Sequence, residues 1–248
     1  MNIDELLELM KTRRSVRRFK PDPVPDECIT KMIEAARWAP SGANGQPWEF
    51  IVIKDAETKQ KMADAYRQVR PEHYYIEQTR VEGVKHNALS SQVNEPHFQN
   101  APVLIMVCAD KRAYQASVMA GSLIGTGGGS GDATFQKSVS NATFSLHLAA
   151  RAMELGSQWH SILADWEQLL KPILGVPIYL QIHTMVPVGY PDYEPPKPYR
   201  RSAEEITHYE KYDMSRFRTG DKIVEFIRNL RGRTKTAYEA WVKPDLDH

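Results

Sequence analysis

Val103 to Ala109 is an unbroken apolar run, much too short to cross a bilayer. With no polar residue alternating through it, the run suits a strand buried on both faces at the centre of a sheet. Such a strand needs other elements packed over both of its sides. The chain has the material for this, since 42% of its 248 residues are hydrophobic and 25% are charged, an ordinary globular balance sufficient for one large domain or two small ones.

The covering elements can be read from periodicity. Residues 2 to 12 carry Ile3, Leu6, Leu7 and Met10 on one helical stripe, and a second helix is expected from about Pro25 to Trp38, where Ile29, Met32, Ile33 and Ala36 recur. Strands are expected over Glu49 to Lys54 and Pro102 to Ala109, with a short helix from about Glu57 between them. The stretch from Arg70 to Asn100 receives no assignment. Phe135, Val139, Ala142, Leu146, Ala149 and Met153 form one seam along a helix of five turns or more, which packs inside the subunit or against a second one. A strand near Ser157 to Leu163, a helix near Trp166 to Leu174 and a strand near Tyr179 to Gly189 follow. The segment Gly125 to Asp132 matches neither the dinucleotide nor the phosphate-loop glycine spacing and is expected to be a flexible loop.

Charge is local and not global. Lys and Arg number 32 against 31 Asp and Glu, a formal balance of +1, so no overall field recruits nucleic acid or an anionic membrane. The acidic first residues show no signal-peptide pattern, and a soluble, cytoplasmic protein is expected. Cys28 and Cys108 lack Cys or His neighbours at metal spacing, so no metal is expected and both read as buried free thiols, with a disulfide between them as the alternative. Against this neutral background, Arg13-Arg14-Ser15-Val16-Arg17-Arg18-Phe19 gathers four arginines and a hydroxyl. Guanidinium groups bind phosphate oxygens in bidentate fashion; the plainer alternative is a solvated basic face. A short gap later, Ala39-Pro40-Ser41-Gly42-Ala43-Asn44-Gly45-Gln46-Pro47-Trp48 is a turn against which a flat heterocycle could lie.

These segments, followed in order by Val188-Gly189-Tyr190-Pro191, Arg200-Arg201 and Glu204-Glu205-Ile206, resemble the FMN-dependent nitroreductase family. The Arg-Arg-Ser-Val-Arg and Ala-Pro-Ser-Gly spellings are most similar to its iodotyrosine deiodinase branch. The resemblance implies an α+β fold, with a mostly antiparallel central sheet flanked by helices in an intertwined homodimer. It also implies a flavin-binding domain over residues 1–206; the tail over 207–248 lies beyond the common core, and its apolar stripes at helical spacing predict a helical C-terminal extension. Arg13, Arg14 and Ser15 would hold the FMN phosphate and ribityl chain, joined by Arg200 and Arg201. Pro40, Ser41 and Gly42 would pack on the ring from the other subunit, and Ser161, Ile162 and Leu163 would present backbone to its central nitrogens. Asn44 and Gln46 are either contacts or turn builders, and Trp48 reads as core. Arg17 either serves the N1 and C2 carbonyl edge of the ring or is a further phosphate or surface arginine.

The resemblance implies reduction of an electron-poor organic substrate, such as a nitroaromatic or quinone, by NAD(P)H in a ping-pong reaction. Reductive dehalogenation of a halogenated aromatic, or a non-catalytic flavin-binding role, are the alternatives. No catalytic side chain is assigned, because the flavin carries the chemistry. Residues 70 to 100, with His73, Tyr74, Tyr75, His86 and His97, are the expected cover of the substrate slot. The C-terminal extension is expected to embrace the partner subunit, roof the flavin entrance, or pack as a simple surface helix.

Overall fold

The computed structural model describes residues 2–79, 96–115, 130–195 and 197–230. They form two units, one built from residues 2–74, 96–115 and 130–194 and the other from 75–79, 195 and 197–230. In chain order the elements are α1 (Ile3–Thr12), α2 (Asp26–Arg37), β1 (Trp48–Ile53), α3 (Ala56–Gln78), β2 (Val103–Asp110), α4 (Arg112–Gln115) and α5 (Ser130–Ala152). After these come β3 (Gly156–Ser157), β4 (His160–Ser161), α6 (Ala164–Leu174), β5 (Leu180–Gly189), α7 (Ala203–Ile206) and a helix over residues 220–230, α8.

The sheet runs in the order β1-β2-β5-β3, with β4 also paired to β5, and every pairing is antiparallel. As its composition requires, β2 lies inside the sheet, and Val103 through Ala109 are all buried. Its side chains alternate between two layers, as the period of a strand dictates. Val103, Ile105, Val107 and Ala109 face a cluster with Ile29, Met32 and Ala36 of α2 and Phe135, Val139, Ala142 and Leu146 of α5. Leu104, Met106 and Cys108 join Met62 and Tyr66 of α3, Phe98, and Trp166 and Leu170 of α6. Each of these larger side chains contributes about 1.5–3 kcal/mol through burial. The seam of α5 is therefore a core contact within one subunit.

The helix ends follow local chemistry. Asn2 and Glu5 form a reciprocal capping box on α1, with both bonds at 2.9 Å. Gly175 ends α6 at φ 65°, the left-handed conformation that glycine adopts without a Cβ clash.

Several expectations are corrected. The short helix after Glu57 is the 23-residue α3, which continues through Pro71 and takes in the first part of the unassigned stretch. Ser130 to Asp132 belong to α5 and not to a flexible loop; Gly125 to Gly129 lie outside the described residues. The strand expected near Ser157 to Leu163 is broken into β3 and β4. Cys108 is buried, whereas Cys28 is only half-buried.

In the second unit, Ser202 and Glu205 cap α7 reciprocally. The ring of Tyr199 meets Phe226 of α8 at 6.2 Å. Tyr209, Tyr212 and Phe217 are exposed. The remainder of the extension, including Tyr238 and Trp241, lies outside the described residues.

Candidate functional site

The arginine segment leaves α1 at Arg13, whose extended φ and ψ end the helix, and is then sewn to the sheet. Ser15 forms a parallel bridge with Ser157, and Val16 N donates to Ser157 O at 3.0 Å. Val16 is buried against Gly156, where any Cβ would come within 2.7 Å of Val16 Cγ2. This anchor leaves Arg13, Arg14, Ser15 and Arg17 half-buried around one fixed backbone. Arg18 is separated from them in role, since its Nε lies 2.8 Å from Asp192 Oδ2 and its guanidinium sits over Tyr193. The Tyr193 hydroxyl in turn donates to Ser15 O at 3.5 Å.

Ser157 also holds a buried histidine. Its hydroxyl lies 2.8 Å from His147 Nδ1, while His147 Nε2 has no hydrogen-bond partner. Burial, reinforced by the positive field of Arg13, pushes the His147 pKa down to about 4. Arg151, one turn further along α5, donates from Nε to Thr12 Oγ1 at 3.2 Å. The last turns of α5 thus support the arginine segment.

The Pro40–Gln46 turn is held against the middle of α5. Gly42 N donates to Ser138 Oγ at 3.2 Å, and Asn141 Nδ2 donates to Pro40 O at 3.2 Å. Within the turn, Ser41 Oγ accepts from Gln46 N at 3.1 Å, and Gln46 Nε2 donates to Asn44 O at 3.3 Å. Ala43, Asn44 and Gln46 all have positive φ, between 42° and 53°. The Gln46 side chain and the Asn44 carbonyl thus brace the turn. Ser138 and His147 are nine positions apart on α5, roughly 13 Å along the helix axis. In one chain the arginine segment and the turn occupy different places along this helix.

Ser161 lies in β4 opposite Thr184, with Ile162 half-buried and Leu163 exposed where α6 begins. Trp48 is core, as expected. Arg200 and Arg201 belong to the second unit, where their side chains donate to Tyr199 O at 2.9 Å and Glu205 O at 2.7 Å.

Next to Ser157 stands a group that sequence reading missed. Gln158 is buried and bonded to His97 Nε2 at 2.7 Å. The His97 ring lies 5.4 Å from that of His160, which meets Tyr66 at 6.0 Å and Phe98 at 5.3 Å. Arg70 caps the Tyr66 ring at 5.4 Å. Burial, then the charge of Arg17, pushes the His97 pKa down to about 4; burial, then His97, takes His160 to about 3. Both rings are neutral at pH 7. His97 is half-buried and held between Gln158 and the His160 ring. Tyr75 is exposed, and Arg80, Lys85 and His86 lie outside the described residues.

The sequence model of the nitroreductase family matches residues 10–190. The chain belongs to this family. An Archaeoglobus fulgidus relative, provisionally named NADH dehydrogenase/NAD(P)H nitroreductase, is 30% identical over 197 residues, covering 76% of this chain and 87% of the relative. The iodotyrosine deiodinase of Thermotoga neapolitana is 29% identical over 214 residues, covering 84% and 98%. Among solved structures, an oxidized iodotyrosine deiodinase bound to FMN and 3-iodo-L-tyrosine superposes with a TM-score of 0.63 at 26% identity, covering 84% of this chain and all of the other. The nitroreductase-like α+β fold is the one expected from the motifs. No described helix is long and apolar enough to cross a membrane.

Proposed function

We propose that this nitroreductase-family chain is an FMN-dependent oxidoreductase that takes electrons from NAD(P)H and passes them, in a ping-pong reaction, to an electron-poor organic substrate such as a nitroaromatic or quinone. The observation that carries the reading is the Ser15–Ser157 bridge, which fixes three half-buried arginines and a hydroxyl on one backbone. That donor set fits a phosphate dianion, with guanidinium forks for two oxygens and Ser15 as a neutral donor. Arg18 pairs with Asp192, and Arg13, Arg14 and Arg17 make up the proposed phosphate set.

FMN, when bound, supplies the hydride and electron exchange. Arg13, Arg14 and Ser15 would hold its phosphate and ribityl chain. Arg17 would offer a positive charge to the N1 and C2 carbonyl edge, where negative charge collects on reduction, and so would raise the reduction potential. Ser161, Ile162 and Leu163 would present backbone to the ring. The neutral state of His97 and His160 keeps additional positive charge away from the interior behind Arg17.

The site is completed across a homodimer, in which Pro40, Ser41 and Gly42 of one subunit meet the arginines of the other. Ile3, Leu7 and Met10, the exposed apolar residues of α1, support a second copy as their cover. In this reading the flavin domain ends near residue 206, a helical extension follows it, and the protein is cytoplasmic.

A second reading, reductive dehalogenation of a halogenated aromatic, is supported by the full-length similarity to iodotyrosine deiodinase. The test is to load the purified protein with FMN, reduce it anaerobically with NADH or NADPH, and add nitroarenes, quinones and halophenols in parallel. Reoxidation by nitroarene or quinone supports the first reading. Reoxidation by halophenol alone selects the second, and failure of the protein to take up FMN rejects both.

A further inference from the structure

Arg70 is only 7% exposed. Its guanidinium lies over Tyr66, its Nε has no hydrogen-bond partner, and no carboxylate pairs with it among the described residues. A buried charge without a counter-ion costs several kcal/mol, and none of the described residues supplies a carboxylate to Arg70. A second orphaned donor lies against the same ring. Trp166 Nε1 is buried without an acceptor, and the indole meets Tyr66 at 5.0 Å.

The surroundings deepen the excess. His160 meets Tyr66 and Phe98, and His97 lies against His160; Arg17 and Arg70 both impose positive potential on these two imidazoles. One continuous chain of contacts therefore runs from the Arg13–Arg17 segment through Ser157, Gln158, His97, His160 and Tyr66 to Arg70. Two buried donors, a permanent cation and a wall of flat rings call for an acceptor with negative charge and an aromatic body.

We propose that Arg70 is the specificity residue for an aromatic carboxylate substrate, whose carboxylate pairs with the Arg70 guanidinium beside Tyr66. This rests on the oxidoreductase reading for its consequence, since the carboxylate marks which electron-poor aromatics are reduced; recognition of the anion itself needs only this chain. The carboxylate takes the place of the missing counter-ion, and the guanidinium fork matches its two oxygens.

The test is calorimetric titration of the FMN-loaded protein with 3-nitrobenzoate and with uncharged 3-nitrobenzamide, which share size and ring. Phenyl phosphate serves as a third arm. Wild type is expected to bind nitrobenzoate at least tenfold more tightly than nitrobenzamide and more tightly than phenyl phosphate. Arg70→Met abolishes that preference with FMN content retained, and Arg70→Lys keeps part of it, because charge remains without the fork. Equal affinities in wild type, preference for the phosphate, or a preference that survives in Arg70→Met would each overturn the proposal. So would loss of FMN from Arg70→Met with the carboxylate preference intact, which makes Arg70 a cofactor residue. If the protein takes up no FMN, the oxidoreductase reading fails separately, and the same titration of the protein alone still reads the anion preference.

Discussion

His147 Nδ1 lies 2.8 Å from Ser157 Oγ, and the backbone carbonyl of the same Ser157 receives Val16 N. One serine therefore ties the buried face of α5 to the arginine segment. Because His147 Nε2 already lacks a partner, Ser157→Ala leaves both ring nitrogens bare in the interior. The expected loss is about 1–3 kcal/mol, read from urea unfolding. The double variant Ser157→Ala/His147→Leu should recover part of it, since removing both polar partners costs less than removing one. A double variant less stable than Ser157→Ala would contradict this account.

Gly156 is the position where the arginine segment approaches most closely. An added Cβ meets Val16 Cγ2, Cβ and Cγ1 at 2.7 to 2.9 Å, on a side chain locked in the core. Gly156→Ala must push the segment off the sheet, at a cost of about 1–3 kcal/mol, and should weaken FMN retention through the displaced arginines. Gly220, with nothing near its missing Cβ, provides the control; Gly220→Ala should change unfolding free energy by less than about 0.5 kcal/mol. Dialysis of the loaded proteins followed by absorbance at the flavin bands measures the retention.

The long elements were legible in the sequence because each repeats one pattern over many residues. The α5 seam and the apolar run of β2 specify their environments without help from distant contacts. The arginine segment was legible as a donor set, but the loss of Arg18 to Asp192 was not, since those partners are 174 positions apart. The histidine and tyrosine group around Arg70 has no local signature either. Tyr66, His97 and His160 lie on three separate elements, and β4 brings His160 into place through a two-residue pairing with β5 too short to leave a pattern. Asn44 and Gln46 were undecided between contact and turn builder; their positive φ and mutual bond come from backbone geometry that composition alone leaves open.

Acid should unfold this protein earlier than its carboxylates require. His97, His147 and His160 have pKa values pushed down to about 4, 4 and 3 by burial and by Arg13, Arg17 and Arg70 nearby. In the unfolded chain each returns to about 6.5. Between these values the unfolded state binds more protons, so stability falls as pH drops from about 6.5 toward 4. Moving from pH 7.0 to 5.5 should cost roughly 1 kcal/mol for each histidine. Urea unfolding at the two pH values measures the difference, and His147→Gln should remove one histidine's share. A stability that rises on acidification over this range would contradict neutral burial.

Arg17 separates two kinds of cofactor contact. Arg13 and Arg14 lie closer to the end of α1, and their loss should act on phosphate, reducing FMN retention with little change in potential. Arg17 is half-buried, and its field reaches His97 and His160, so it faces the interior beyond the phosphate set. A charged hydrogen bond to the reduced ring is worth about 1.5–3 kcal/mol, which for a two-electron couple is about 30–60 mV. Arg17→Ala should therefore lower the FMN midpoint potential by about that amount, in redox titration against a reference dye, while Arg14→Ala leaves it within a few millivolts. An Arg17→Ala protein that releases FMN readily at an unchanged potential would return this arginine to the phosphate.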